Sequence, residues 1–295
     1  MRMPYPATRP PSLQRRIFRG RDAMARGLLT REQLRSSTWR RVFRGIYADA
    51  QLPDDHGLRA RAAMLLIPPG AAITGRSAAW LWGARIATSL DPVDVVAPLG
   101  SRFKGFAGLE TRTAPIPEDE VTTLDGVRLT LPLRTAWEVA IRMEPVEAIT
   151  ILDALTGIGQ LTVEQLKRYL ATKPGHRNAR SRAAQIFSLV DYRSGSPDES
   201  RLRARLILAG LPVPIPQYEY RFWDGSSITL SLAWPEERVA IRYGETNPTG
   251  RYHVENVALT SAGWLVYRVT DINHGIEALI TALRYALHTR ARKKA

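Results

Sequence analysis

The stretch Gly27-Leu28-Leu29-Thr30-Arg31-Glu32-Gln33-Leu34-Arg35-Ser36-Ser37-Thr38-Trp39-Arg40-Arg41-Val42-Phe43-Arg44-Gly45-Ile46-Tyr47-Ala48 decides how the first part of the chain is read. Thr30 followed three residues later by Gln33 is a capping box: the hydroxyl accepts a first-turn amide and the glutamine side chain reaches back. It predicts a short helix ending near Arg35. Ser36 or Ser37 is a second cap, for a helix over Ser37–Arg41, and residues 42–48 read as extended. Upstream, Ser12–Ala25 reads as a first helix with Leu13, Ile17, Ala23 and Met24 inside and Arg15, Arg16 and Arg19 outside. Helix, short helix, tight turn, short helix and strand is the order of a winged helix-turn-helix.

Charge gives that module a use. The chain of 295 residues carries a net charge of +14, and residues 1–50 hold 12 arginines against three acidic residues. Such a basic block on a near-neutral body is the footprint of a polyanion binder. Double-stranded DNA is the expected partner, because the arginines fall on all sides and leave no apolar face for a membrane. Arg40 and Arg41, on the expected third helix, are candidates for base contacts in the groove, with Ser37 and Thr38 beside its N-terminus. Arg31, Arg35 and Arg44 are candidates for phosphates. Trp39 is read as that helix's core anchor. The competing reading is that these arginines only keep a basic protein soluble.

Further outward, three regions are expected: 1–50, 51–190 and 191–295. The middle region reads as helices near His56–Leu66, Ser77–Trp82, Thr135–Arg142, Pro145–Leu155, Thr162–Ala171 and Arg182–Val190. Strands are expected at Val93–Ala97, Leu109–Ala114 and Val127–Leu131, and Lys173–Ser181 reads as a hinge. Ser196-Pro197-Asp198-Glu199 opens the last region with a second capping box and proline at the first helical position. The helix runs to Gly210. Strands then follow at Tyr218–Phe222, Ile228–Ala233, Val239–Tyr243 and Trp264–Val269, with helices at Arg251–Ala262 and Ile276–His288. The whole is of mixed α/β class.

The absence of cysteine removes disulfides, cysteine zinc sites and thiol nucleophiles, and suits a reducing cytoplasm. The opening Met1–Pro10 has no apolar core of a signal peptide, and Pro68, Pro69 and Gly70 interrupt the richest apolar run, so neither a leader nor a membrane span is expected. No phosphate-binding loop or serine-hydrolase elbow is present; Gly157-Ile158-Gly159 lacks a third glycine at the needed offset. His56, His176, His253, His274 and His288 have no metal-ligand spacing. No cofactor, resident metal or enzymatic activity is expected. In Ile228–Ala233, alternation puts Ile228, Leu230 and Leu232 on one face and Thr229, Ser231 and Ala233 on the other; Ala240 and Arg242 lie opposite Val239, Ile241 and Tyr243. Ser231 and Arg242 thus meet on the polar side.

Two segments carry a family resemblance. Residues 27–34 and 39–47 resemble the N-terminal winged-helix domain of AbiEi-type antitoxins of type IV toxin–antitoxin pairs. Ser196–Arg203, Ser231-Leu232-Ala233-Trp234-Pro235, Val239–Tyr243 and Gly263–Thr270 resemble the very-short-patch-repair-like endonuclease domain, which implies a C-terminal restriction-endonuclease-like α/β fold. Intact members of that domain have Asp where this chain has Ser231 and Glu where it has Arg242, while Glu199 matches the family's helix glutamate. Magnesium wants hard carboxylate oxygens, and a fixed cation repels it. The resemblance therefore implies a nuclease fold without its chemistry, in a DNA-binding antitoxin that represses its own operon and opposes a nucleotidyltransferase-type toxin. Three readings of Glu199 and Arg242 stay open: an ion pair between them, a helix cap with a solvated surface cation, or Arg242 holding a DNA phosphate. The alternatives for the whole chain are a metal-dependent endonuclease using displaced carboxylates such as Glu236, Glu237 or Glu245, and a transcription regulator without a toxin.

Overall fold

The computed structural model describes residues 9–172, 177–244 and 250–292, with side chains from 253 onward in the last segment. It is a mixed α/β protein that falls into two compact units, Met1–Val139 and Ala140–Ala295. The expected divisions after residues 50 and 190 are not where the packing separates. Phe43 and Ile46 share one core with Ala60, Ala63, Ile73, Val93 and Leu129, so residues 1–50 are not a free-standing module. Helices from both the middle and last expected regions likewise build the second unit.

The first unit begins with β1 (Ile17–Arg19) and α1 (Gly20–Ala25), followed by β2 (Trp39–Phe43) and β3 (Ile46–Asp49). These strands form an antiparallel sheet in the order β1-β3-β2. The expected helix over residues 12–25 is thus a strand followed by a short helix. The cause is Asp49, whose buried carboxylate accepts from the Arg15 amide at 2.9 Å and from Arg9 Nε at 3.2 Å, while Arg15 takes a left-handed φ of 50°. A helix over these residues would turn that amide inward on itself. The expected third helix over Ser37–Arg41 is replaced by β2. Five residues led by Trp and closed by Val-Phe suit a pleated surface better than an isolated helical turn, and β3 supplies the partner strand. The capping box does form, with Thr30 N donating to Gln33 Oε1 at 2.7 Å and Gln33 N to Thr30 Oγ1 at 3.2 Å, but it opens only a single 3-10 turn, Gln33–Arg35.

A register shift between Arg41 and Phe43 then sends the two aromatic ends of β2 into different cores. Trp39 joins Leu13, Phe18, Leu29 and Leu34, with the Phe18 ring edge-on at 5.2 Å, whereas Phe43 joins the larger core. That core lies under α2 (His56–Ala63), α3 (Gly75–Leu81) and a five-stranded sheet of order β6-β5-β4-β8-β7. Its strands are β4 (Ala72–Ile73), β5 (Val93–Ala97), β6 (Leu109–Thr113), β7 (Val121–Leu124) and β8 (Val127–Thr130). Gly57 lets α2 lie against Trp80: a Cβ there would stand 2.0 Å from the ring. His56 is fully buried, with Nδ1 donating to Thr88 O at 3.0 Å and Nε2 accepting from Ser77 Oγ at 2.7 Å. A serine–histidine pair sealed in this way is a packing device with no access for substrate.

The chain crosses between units within α4 (Pro132–Arg142). The second unit adds α5 (Pro145–Gly157), α6 (Val163–Thr172), α7 (Arg177–Ser188) and α8 (Pro197–Leu208). Then come β9 (Ile215–Arg221), β10 (Ser227–Trp234), β11 (Val239–Tyr243), α9 (Gly250–Ser261), β12 (Leu265–Val269) and α10 (Ile276–Arg292). The sheet order is β12-β11-β10-β9, with β11 and β12 parallel and the other pairs antiparallel. Residues 173–176 of the expected hinge, Glu245, Lys293 and Lys294 lie outside the described residues, whereas residues 177–181, expected as the rest of that hinge, already belong to α7.

Candidate nucleic-acid interface

Of the seven residues expected to meet DNA, Arg31, Arg35, Ser37, Arg41 and Arg44 are exposed. Thr38 and Arg40 are not available as expected. Thr38 is only 3% exposed, and Arg40 is half-buried, donating to Leu52 O at 2.9 Å and Ala50 O at 3.4 Å with Asp54 at 3.5 Å. The strand is the reason: successive side chains of β2 point to opposite faces, so Arg40 folds back on the β3–α2 connection while Arg41 points to solvent. A helix would have offered both.

The exposed arginines extend beyond those seven positions. Arg15, Arg16, Arg26, Arg31, Arg35, Arg41 and Arg44 are all exposed, and none has an acidic partner among the described residues. Beside them, Arg19, Arg21 and Arg44 converge on a groove of about 300 Å³ also lined by Gly45, Ile46, Leu65, Leu66 and Phe106. Arg19 is held in place by Leu65 O, which accepts from its Nε at 3.2 Å and Nη2 at 2.5 Å. Gly45 closes the β2–β3 turn with φ of 79°, a conformation that costs other residues strain. Phe106 comes from a loop some 60 residues further on. The alternation Arg102-Phe103-Lys104-Gly105-Phe106 was the signal in the sequence that points to it.

The second site expectation concerned Glu199, Ser231 and Arg242. The Ser196 cap holds: Glu199 N donates to Ser196 Oγ at 3.2 Å, and Pro197 opens α8. The Glu199 carboxylate does not meet Arg242. Its Oε2 accepts from Gln217 Nε2 at 2.6 Å and from Gly195 N at 3.0 Å. Arg242 pairs instead with Glu255 of α9 at 2.8 Å and is buried, which also displaces the readings of it as a solvated cation or an exposed phosphate ligand. Ser231 Oγ accepts the Tyr243 amide at 3.0 Å, so the hydroxyl bridges β10 to β11. The Tyr243 hydroxyl donates to Asp198 at 3.2 Å, and burial together with that carboxylate pushes its pKa up.

The expected strict alternation along β10 also breaks here. Ile228 and Leu230 pack with Leu259 and Trp264, but Leu232 packs on the other side with Leu202 and Leu206. Gln217 is the cause: between Tyr218 and Pro216, the partners of Leu230 and Leu232, it takes a left-handed φ of 49° and interrupts the pleat opposite Ser231. Glu236 and Glu237 lie in the turn after β10. Among the described residues no three His, Cys, Asp or Glu side chains cluster to hold a metal ion.

A different acidic side chain is central to this unit. Asp153 of α5 meets Arg203 of α8 at 2.7 Å with both side chains buried, and it also takes the Asp191 amide at 2.8 Å and the Ser200 hydroxyl. Burial pushes its carboxyl up against the pull of Arg203. The network fastens α5 to α8.

No protein-family model matches the chain. It is 28% identical over 219 residues to a Mycobacterium tuberculosis protein described as uncharacterized, in the CDC 1551 / Oshkosh and H37Rv strains, across 73% of this chain and 78% of that relative. A crystal structure of another Mycobacterium tuberculosis protein covers 70% of this chain and 83% of its own, with 17% identity and a TM-score of 0.41. No helix among the described residues is long and apolar enough to cross a membrane.

Proposed function

We propose that this protein binds double-stranded DNA through the arginines of residues 15–44 and acts as a regulator rather than a nuclease. The observation that carries the reading is the set of seven exposed, acid-free guanidinium groups in that segment. Each arginine that neutralises a phosphate releases condensed counterions and contributes about −0.9 to the logarithmic salt slope. With a strand where a recognition helix was expected, contacts run mainly along the backbone and in the path of the Arg44-Gly45 turn. Sequence preference then rests on duplex shape more than on base-edge hydrogen bonds.

The resemblance to AbiEi-type antitoxins adds the rest of the reading: the DNA is the protein's own operator, and its counterpart is a nucleotidyltransferase-type toxin. Ser231 and Arg242 stand where a divalent cation would need carboxylates, which favours regulation over cleavage. The test is an anisotropy titration of a labelled upstream duplex over a salt series, with wild type and the double variant Arg41→Glu/Arg44→Glu. A steep salt slope that becomes shallower in the variant supports the proposal; equal slopes and affinities overturn it. Plasmid nicking that requires Mg²⁺ would overturn the non-enzymatic part.

A further inference from the structure

We propose that the groove at the β2–β3 turn is a nucleotide site, taking one unstacked aromatic base together with its phosphate. Its lining is of two chemical kinds. Arg19, Arg21 and Arg44 line it together with the apolar residues Ile46, Leu65, Leu66 and Phe106. Arginine suits phosphate through its planar fork of donors. A base, in turn, gains from stacking on an aromatic face beside such cations. The volume of about 300 Å³ is that of a single small ligand.

The pieces are pre-positioned. Arg19 spends Nε and Nη2 on Leu65 O, which fixes its plane at the groove and leaves Nη1 to a ligand. Arg44 makes no hydrogen bond or ion pair among the described residues. Arg21 has only the exposed Asp22, at 3.2 Å, which a phosphate would displace. Phe106 is 52% exposed although it is a large apolar ring, and Phe103 holds it edge-on at 5.7 Å. Phe103 itself packs on the main core. An exposed phenyl ring anchored by Phe103 and lining one groove with three arginines fits a base better than a bare anion, which would have no use for it.

The ligand is a base with its phosphate, either as a free nucleotide or as an unpaired nucleotide of a strand. The site shares Arg44 with the proposed duplex surface and differs from it at Phe106, to which bases stacked in a duplex offer no face. The experiment measures affinity at low salt for four probes: inorganic phosphate, AMP, a single-stranded oligo-dT and a duplex. Full-length wild type is compared with Phe106→Ala, Phe106→Trp, Arg44→Glu and Arg41→Glu. The expected result is AMP and oligo-dT bound more tightly than phosphate, weakened about tenfold by Phe106→Ala, retained by Phe106→Trp and lost with Arg44→Glu. Arg41→Glu leaves AMP affinity unchanged and Phe106→Ala leaves duplex affinity unchanged. AMP equal to oligo-dT identifies a free nucleotide; oligo-dT far tighter than AMP identifies a strand. Phosphate binding as well as AMP, or Phe106→Ala without effect on either, overturns the proposal. Loss of duplex binding by wild type alone would sink only the DNA-regulator reading.

Discussion

The Arg290 guanidinium of α10 donates to the carbonyls of Glu237, Arg238 and Gly263, whereas the guanidinium groups of Arg41 and Arg44 donate to nothing among the described residues. The contrast extends across the two units. In the second unit Arg182 closes on Ala140 O and Met143 O, Arg284 on Ala209 O and Arg238 on Ala262 O, each at the end of a helix whose last carbonyls lack partners. Arg205 holds Ile272 O, and Arg203 is sealed against Asp153. There arginine is a structural donor. In residues 15–44 it is mostly a solvated cation. Net charge alone does not separate these uses; the partner of each guanidinium does.

Removing Arg203 is the strongest way to test that contrast. Arg203→Met strands Asp153 in a buried site and should lower stability by about 3–5 kcal/mol, read as a fall in the urea midpoint, while Arg41→Met should change it by less than about 0.5 kcal/mol. Comparable losses in the two variants would erase the distinction. Next in size is a pH effect in the first unit. Burial, opposed by Arg76, pushes Asp94 up to about 6, so the folded state holds its proton more tightly than the unfolded chain does. Stability should therefore fall by about 1–3 kcal/mol as pH rises from 4 through 6, and Asp94→Asn should flatten that slope in pH-dependent urea titrations. Asp49 has the opposite sign: burial raises it, but the Arg15 and Gln51 amides and Arg9 prevail and leave its carboxyl below the ordinary range. Its contribution is present above the unfolded carboxylate pKa and disappears in acid, and Asp49→Asn should make stability less dependent on pH there. Smaller still, Arg290→Ala should cost about 1–2 kcal/mol through the loss of its three hydrogen bonds to carbonyls, of which Arg238 O keeps the Leu265 amide as donor, measured by thermal unfolding.

Legibility followed the same division. The elements of the second unit could be read closely because their signals are local: the Ser196 cap, Pro197, the Asp224-Gly225 turn and runs such as Val239–Tyr243 coincide with α8, the β9–β10 turn and β11. The first fifty residues misled because their decisive contacts are distant. Nothing near Arg15 announces that Asp49 will capture its amide, and Trp39–Phe43 becomes a strand only when β3 lies beside it. Exposure of Arg31, Arg35 and Arg44 was legible from charge alone. The groove was not, since its walls come from residues 19 to 106. At the second site, the substitutions at Ser231 and Arg242 were visible, but Glu255 as the partner of Arg242 sits on a helix whose approach no spacing in the sequence reveals.

The strand order β1-β3-β2 has a consequence for the chain as it is made. The middle strand is the last to be synthesised, so β1 and β2 emerge from the ribosome with no neighbour to pair with, and Arg9 and Arg15 wait for the carboxylate at position 49. Nascent chains halted before that residue should be readily cut by protease throughout their basic leading segment; passing Gln51, whose own amide also joins Asp49, completes the sheet, and full resistance should come only once the chain through Leu129 is out to cover Phe43 and Ile46.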